Sequence, residues 1–228
     1  MTPQEEALFF YAALCISVLL TRIPRIGMFF RVINTLVHES GHAFMAIATN
    51  GSVLKVELFS DLSGMAKTAS GSWFSRFMVS LSGYMFSSVM AWVLFFLANA
   101  GLYEIVLWVL LGFGLVNLLF FVRNSYGIFW LLSFVTGVGI VLYFNNAMAN
   151  TVFVVCALML LLGDSFISTL ELFFIAIKKP ANAGDARNLK DLTHLPTFFW
   201  ALVFLCFAGY VLWDIAHRFF PPISLIFK

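Results

Sequence analysis

His38, Glu39 and His42 stand in the run "VHESGHAFMAI" (37–47), among valine, phenylalanine and alanine. On a helix, positions four apart share one face about one turn apart, so the two imidazoles point the same way and Glu39 lies near them. This is the H-E-x-x-H arrangement: two ring nitrogens spaced for one Zn²⁺, and a carboxylate suited to general-base work. A divalent cation takes the histidine lone pairs, which compensates the burial of three polar groups in apolar surroundings. The bland reading is a pair of bundle histidines with satisfied ring nitrogens beside an ion-paired glutamate. The position inside an apolar helix, in a chain with only four histidines, favours the metal. Gly41 lowers helix stability by ~1 kcal/mol relative to alanine. Its use is to admit a close neighbour, here the following strand or the metal site.

A catalytic zinc site takes three protein ligands and keeps one position open. The motif supplies two. Asp164, Glu171, Asp185, Asp191, His194, Asp214 and His217 are the candidates for the third. Asp164 and Glu171 share a helix face in "LLLGDSFISTLELFF", and Asp185 lies in "NAGDARNLKDL". Ligand chemistry alone does not choose among them.

The elements that must position these groups belong to a membrane protein. Of 228 residues, 62% are hydrophobic and 11% charged, and 28 are phenylalanine. A soluble domain averages about 45–50% apolar and about 25% charged. Spans need ~20 mostly apolar residues, and seven segments qualify: 6–22, 26–49, 73–98, 103–122, 127–145, 150–177 and 196–219. We expect an all-α polytopic membrane protein with six or seven transmembrane helices, forming one domain over residues 1–228. The second segment is the weakest by hydropathy, because Arg31, His38, Glu39 and His42 interrupt it. The first reads as a retained helix rather than a signal peptide, since its leading charges are Glu5 and Glu6 without lysine or arginine. A net charge of +2 gives no case for nucleic acid. Cys15, Cys156 and Cys206 sit singly in apolar runs, with no disulfide or metal spacing.

One stretch breaks the helical pattern. "GSVLKVELFSDLSGMAKTASGS" (51–72) alternates apolar and polar from Val53 to Phe59 and turns at Asp61–Gly64. That period of two predicts a short strand or hairpin. Open strand edges cannot face lipid, so it lies at the surface or lines a protein-walled cavity.

"VHESGHAFMAIATNGSVLKVELFSDLSGMAKTA", followed by "SLSGYMFSSVMAWVLFF", resembles the site-2-protease type of intramembrane zinc metalloprotease, and within it the compact bacterial B-type branch. The likeness continues in "RNSYGIFWLL" and "AGDARNLKDLTHLPTFFWALVF". It implies that Asp185, followed by Ala186, Leu189, Thr193 and Pro196, is the third zinc ligand. Gly184 departs from the small polar residue commoner before that aspartate, and the Leu-Asp-Gly and Asn-Pro signatures of the wider family are absent.

The expected chemistry is hydrolysis of a peptide bond in or near a transmembrane segment, with Glu39 taking a proton from the attacking water and returning it to the leaving amine. A helical substrate must unwind first, and its freed backbone could pair with the strand of 51–72 as an added strand. Val53, Lys55 and Glu57 are the candidate contacts. Asn117 and Asn124 either orient substrate or water or make ordinary interhelical hydrogen bonds. Asp164 and Glu171 at membrane depth either serve a site or partner Lys178 or an interhelical donor. Gly112, Gly114, Gly137 and Gly139 read as close helix packing. Trp73, Trp130, Trp200 and Trp213 read as interfacial anchors.

If the second helix runs toward the cytoplasm, that side receives Lys55, Lys67, Arg76, Arg123, Lys178, Lys179, Arg187 and Lys190. The outer side receives Arg22, Arg25, Arg31, Arg218 and Lys228, so the balance is eight to five. This is the positive-inside sense, although the cluster Arg22, Arg25 and Arg31 pulls the other way. Without plant- or animal-type targeting signals, the expected location is a bacterial inner membrane, with the site toward the cytoplasm. The expected partners are the lipid bilayer and a membrane-protein substrate. Gating then falls to the helices, a regulatory membrane partner or prior trimming of the substrate. The competing class is a non-catalytic membrane protein: a transporter using Asp164 or Glu171, or a scaffold retaining a protease-like fold.

Overall fold

Apolar runs in lipid become helices because a helix pairs nearly all of its amides internally. The computed structural model describes residues 2–23 and 26–225. Their order is α1 (Pro3–Arg22), α2 (Ile26–Ala48), β1 (Ser52–Leu58), β2 (Gly64–Ala69), α3 (Trp73–Asn99), α4 (Tyr103–Val116), α5 (Ser125–Phe144), α6 (Ala147–Lys178), α7 (Gly184–Thr193) and α8 (Thr197–Phe219). A π-helical turn, Asn117–Phe121, extends α4. The chain is an all-α polytopic membrane protein with one small two-stranded sheet. Arg25 and Lys228, counted above on the outer side, lie outside the described residues.

Among the described residues five helices are long and apolar enough to cross a membrane, and a sixth span results if α1 and α2 are taken together across a 103° bend. Among the described residues six is therefore the upper count by length and composition, against the six or seven expected. The physical reason is α2 itself, whose polar positions Arg31, Asn34, His38, Glu39 and His42 interrupt its apolar face. α6 has 32 residues and is therefore about 48 Å long at ~1.5 Å per residue. It exceeds a hydrocarbon core of ~30 Å and must tilt or emerge. Exposed side chains such as Leu119, Phe120, Phe129 and Phe144 are ordinary where the solvent is lipid. So are the exposed Cys15 and Cys206.

Three apolar clusters fix the site's supports. One fills the bundle between α3, α4, α6 and α8, through residues such as Leu94, Leu107, Leu158 and Ile215. A second lies beneath the hairpin, where Val32, Leu36 and Ala43 of α2 meet Val56 and Leu58 of β1 and Trp130 and Leu131 of α5. The third docks α7 by Ala186 and Leu189 against Leu172 of α6 and Phe204 of α8. Trp130 is 2% exposed and donates to the carbonyl of Phe29 at 2.7 Å. It is thus a buried strut between α5 and α2, not an interfacial anchor. Trp200 is likewise buried, donating to Thr193 Oγ1 at 3.0 Å, whereas Trp73 and Trp213 are exposed. A Cβ at Gly112, Gly137 or Gly139 would meet nothing within 4 Å, so of the four glycines only Gly114 packs closely, against Val135 and Phe134.

The buried acid of α6 is spent on structure. Asp164 pairs with Arg31 Nε of α2, and Glu171 approaches Arg31 at 3.9 Å. Neither pairs with Lys178, which lies over the Phe174 ring. Asp164→Ala leaves Arg31 without its main partner, so we expect a loss of about 3–5 kcal/mol in unfolding free energy. Glu171→Ala, at a side chain 60% exposed, should cost about 1 kcal/mol or less. Denaturant unfolding in detergent micelles checks both.

Candidate metal centre

The α2 register carries His38 and His42 onto the face that meets α3 and α7. His38 Nε2 and His42 Nε2 are 3.1 Å apart, and each is 3.2 Å from Asp185 Oδ2. Tetrahedral zinc with bonds of ~2.0–2.1 Å sets its ligand atoms ~3.3–3.4 Å apart. The donor triangle therefore has the size that one such ion spans, and two imidazoles with a carboxylate are a donor set zinc accepts. Among the described residues, this is the one group of three histidine, cysteine or acidic side chains gathered this closely.

The surroundings fix the rings. His42 Nδ1 lies 2.7 Å from the carbonyl oxygen of Val79. A carbonyl only accepts, so Nδ1 carries the proton and Nε2 keeps its lone pair toward the triangle. The His38 ring stands edge-on to Tyr84, with centroids 4.4 Å apart. A Cβ at Gly83 of α3 would lie 2.6 Å from His38 Cε1 and 2.6 Å from His42 Nε2, so only glycine lets α3 pass this close. Gly41 serves the same helix contact: its Cβ would meet Phe86 at 2.7 Å and the Ser82 carbonyl at 3.1 Å. Its neighbour is α3, neither the strand nor the metal triangle.

Asp185 arrives on α7, a ten-residue helix that hydropathy does not announce. Ala186 and Leu189 bury its inner face, Arg187 and Asp191 pair on its outer one at 3.0 Å, and the Trp73 indole donates to Leu192 O at 3.0 Å. Gly184 begins the helix with φ +39°, a left-handed backbone that favours glycine. That is a physical reason for the departure from a small polar residue noted in the sequence.

Glu39 is 6% exposed and stands between the triangle and β2. It interacts with the backbone N–H of Ala66, and a Cβ at Gly64 would meet its Oε1 at 2.6 Å. Thr35 Oγ1 donates to Leu62 O at 3.1 Å, tying the hairpin tip to the same helix. The resulting cavity, about 520 Å³, is lined by His38, Glu39, His42 and Asp185, by Gly64 to Ala66 of β2, and by Asn34, Ser168 and Asn188. A second polar cavity of about 630 Å³ shares His42, Ala66 and Asp185 and runs along Thr68 toward Arg76. β2 therefore borders a continuous cleft. A separate apolar cleft of about 780 Å³, lined by Phe29, Ile33, Phe134 and Leu160, carries none of these groups.

The other predicted residues fall elsewhere. β1 and β2 are antiparallel, with Val56 opposite Ala66 and Leu58 opposite Gly64. Val53, Lys55 and Glu57 lie on β1, one strand removed from the metal triangle, and Lys55 pairs with Glu57 at 2.8 Å. The outer edge of β1 is already taken: Arg123 N donates to Val56 O at 3.0 Å, and the Asn124 carboxamide bonds both N and O of Leu58. The edge that lines the cleft is that of β2, with which no other strand pairs among the described residues. Asn117 is fully buried, accepting from Ser40 Oγ at 2.8 Å and donating to Phe113 O at 3.0 Å. It makes the interhelical bond rather than facing the cleft, and Asn124 is the clamp on β1. His194 is exposed as the left-handed C-cap of α7, and His217 stacks on Trp213. Asp191 pairs with Arg187, and Asp214 with Arg218 and Trp92.

Fold and site together define a polytopic membrane protein with a two-histidine, one-aspartate candidate metal centre beside a free strand edge. The chain belongs to the Peptidase M50B-like family, whose family model matches residues 11–214. This bears out the site-2-protease-type resemblance and makes the chain a member of a peptidase family. No curated protein and no solved structure matches it.

Proposed function

We propose that the chain acts as a single integral-membrane domain, an intramembrane zinc metalloendopeptidase that hydrolyses peptide bonds in or near transmembrane segments of membrane proteins. The observation that carries this is the 3.1–3.2 Å triangle of His38, His42 and Asp185 with Glu39 beside it, in a chain of a peptidase family. His38, His42 and Asp185 would hold the metal. Zinc bound there supplies Lewis acidity to a water and to a peptide carbonyl.

The chain's own groups do the rest. Glu39 accepts the proton of the attacking water and delivers it to the leaving amine nitrogen. Its low exposure keeps bulk water from competing for that proton. Gly64 and Ala66 lie opposite Leu58 and Val56, whose own amide and carbonyl groups point away from β2. In an antiparallel pair this directs the backbone groups of Gly64 and Ala66 into the cleft, the Ala66 N–H toward Glu39. An unwound substrate segment can pair there as a third strand, which holds its scissile carbonyl over Glu39 and the histidines.

The charge balance supports placing the cleft toward the cytoplasm, and the membrane we propose is a bacterial inner membrane. The bilayer and a membrane-protein substrate are the partners, and a regulatory membrane partner is one route to gating. The transporter reading leans on Asp164 and Glu171, and both face Arg31.

The reading predicts about one zinc per purified chain. Chelation should abolish cleavage of reconstituted membrane protein, and added zinc, but not magnesium, should restore it. Material free of transition metal that still cleaves would overturn it.

A further inference from the structure

Asn34 lies one turn before His38 on α2, is 5% exposed and lines the metal cavity. Its Nδ2 reaches Ser168 Oγ at 3.5 Å and the Asp164 carboxylate beside it, whereas its Oδ1 has no hydrogen-bond partner. Buried polar groups in native proteins are nearly always paired, and leaving one bare costs stability. None of the roles given to His38, Glu39, His42 and Asp185 uses this amide. Nearby polar groups are committed: Arg31 to Asp164, Thr35 to Leu62 O, and Ser168 Oγ to Ser165 O.

A substrate strand has two edges. β2 can pair one of them. The other points across the cavity and, at membrane depth, finds little bulk water to satisfy it. The floor of the cavity is α2. Thr35 and Glu39 abut Gly64 of β2, whereas Asn34 faces Ser168 of α6 and His38 faces Asp185 of α7. Asn34 thus stands on the side away from β2, where the second edge of the bound strand would run. Its Oδ1 offers that edge an acceptor for a backbone N–H, while Nδ2 is turned to Ser168 and Asp164 of α6.

We infer that Asn34 is a substrate-binding residue whose carboxamide oxygen accepts a hydrogen bond from the backbone edge that β2 leaves free. This rests on the peptidase reading above.

The test is binding of two zinc-directed probes to the zinc-loaded full chain in nanodiscs. One is a hydroxamate on an extended leucine-rich tripeptide; the other is acetohydroxamic acid, which has no peptide backbone. Asn34→Leu should weaken the peptide hydroxamate about tenfold, in the range of one lost hydrogen bond, and leave acetohydroxamic acid unchanged. Its melting temperature should not fall below that of the parent, because removal of the bare Oδ1 offsets the loss of the Nδ2 contacts to α6. Asn34→Ala should give the same affinity pattern if Asn34→Leu does not fold. Unchanged affinity for the peptide probe overturns the inference and leaves the peptidase reading standing. Parallel weakening of both probes, or a lowered melting temperature, assigns Asn34 a structural role and also overturns it. If the parent chain binds neither probe, the metal reading fails and takes the inference with it.

Discussion

Glu39→Gln is expected to keep one zinc per chain and to lose cleavage by about 10²–10⁴-fold or more, the range of a general acid–base group. The substitution preserves size and one carbonyl oxygen but removes the basic site. The ligand triangle comprises His38, His42 and Asp185, so metal content should not follow Glu39. Its pocket, formed by Thr35, Gly64 and Ala66, accommodates an amide of the same shape. Zinc analysis of the purified variant, with cleavage measured in matched membranes, separates the outcomes. A variant that cleaves within tenfold of the parent removes Glu39 from the proton path, and one that loses zinc makes it a ligand. The inactive, zinc-loaded variant should also hold uncleaved substrate, so comparing membrane proteomes of the two strains would name it.

What the sequence disclosed, and what it did not, follows from the range of each signal. The i, i+4 spacing of His38 and His42 is local, so their shared face is legible without a fold. Asp185 lies far along the chain on a short polar helix with no apolar run to mark it; only the resemblance singled it out. A weaker trace exists in α7, where Ala186, Leu189 and Thr193 recur on one face and Arg187 and Asp191 sit four apart. Strand alternation announced the hairpin, because a period of two reports which face a side chain occupies. It says nothing of which edge is free. That depended on Asn124 and Arg123 closing β1, contacts between segments more than sixty residues apart in sequence. Among the described residues the span count is six at most, because Arg31, Asn34, His38, Glu39 and His42 interrupt the apolar run of α2, the segment hydropathy already marked as weakest. Trp130 fails as an anchor because position near a helix end is readable, and a partner on another helix is not.

Gly83→Ala should remove the metal while leaving the bundle folded, and its effect exposes how the centre is built. The new Cβ would sit 2.6 Å from His38 Cε1 and His42 Nε2 and 2.7 Å from His38 Nε2. These are ligand atoms and ring atoms, so whatever yields is part of the chelate. The rings have little room to turn: His42 is tied to the Val79 carbonyl, and His38 stands against Tyr84. The α2–α3 seam has little room to open, because Gly41 already lets Phe86 and Ser82 close onto α2. Either movement spreads a triangle whose sides are 3.1–3.2 Å, and zinc tolerates little spreading at fixed bond lengths. We expect zinc affinity to fall by at least about 100-fold, the upper end of what disturbing the shell around a metal's ligands costs. The folding cost should be about 1–3 kcal/mol, as for other overpacking. Gly139→Ala is the control. Nothing lies within 4 Å of its Cβ, and alanine favours a helix interior by about 0.5–1 kcal/mol over glycine, so that variant should keep its zinc and gain slightly in stability. Competition against a chromogenic zinc chelator, run beside thermal melts of both variants, distinguishes loss of the centre from loss of the fold. Undiminished zinc affinity in Gly83→Ala would mean that the two imidazoles do not meet the ion where α3 crosses them.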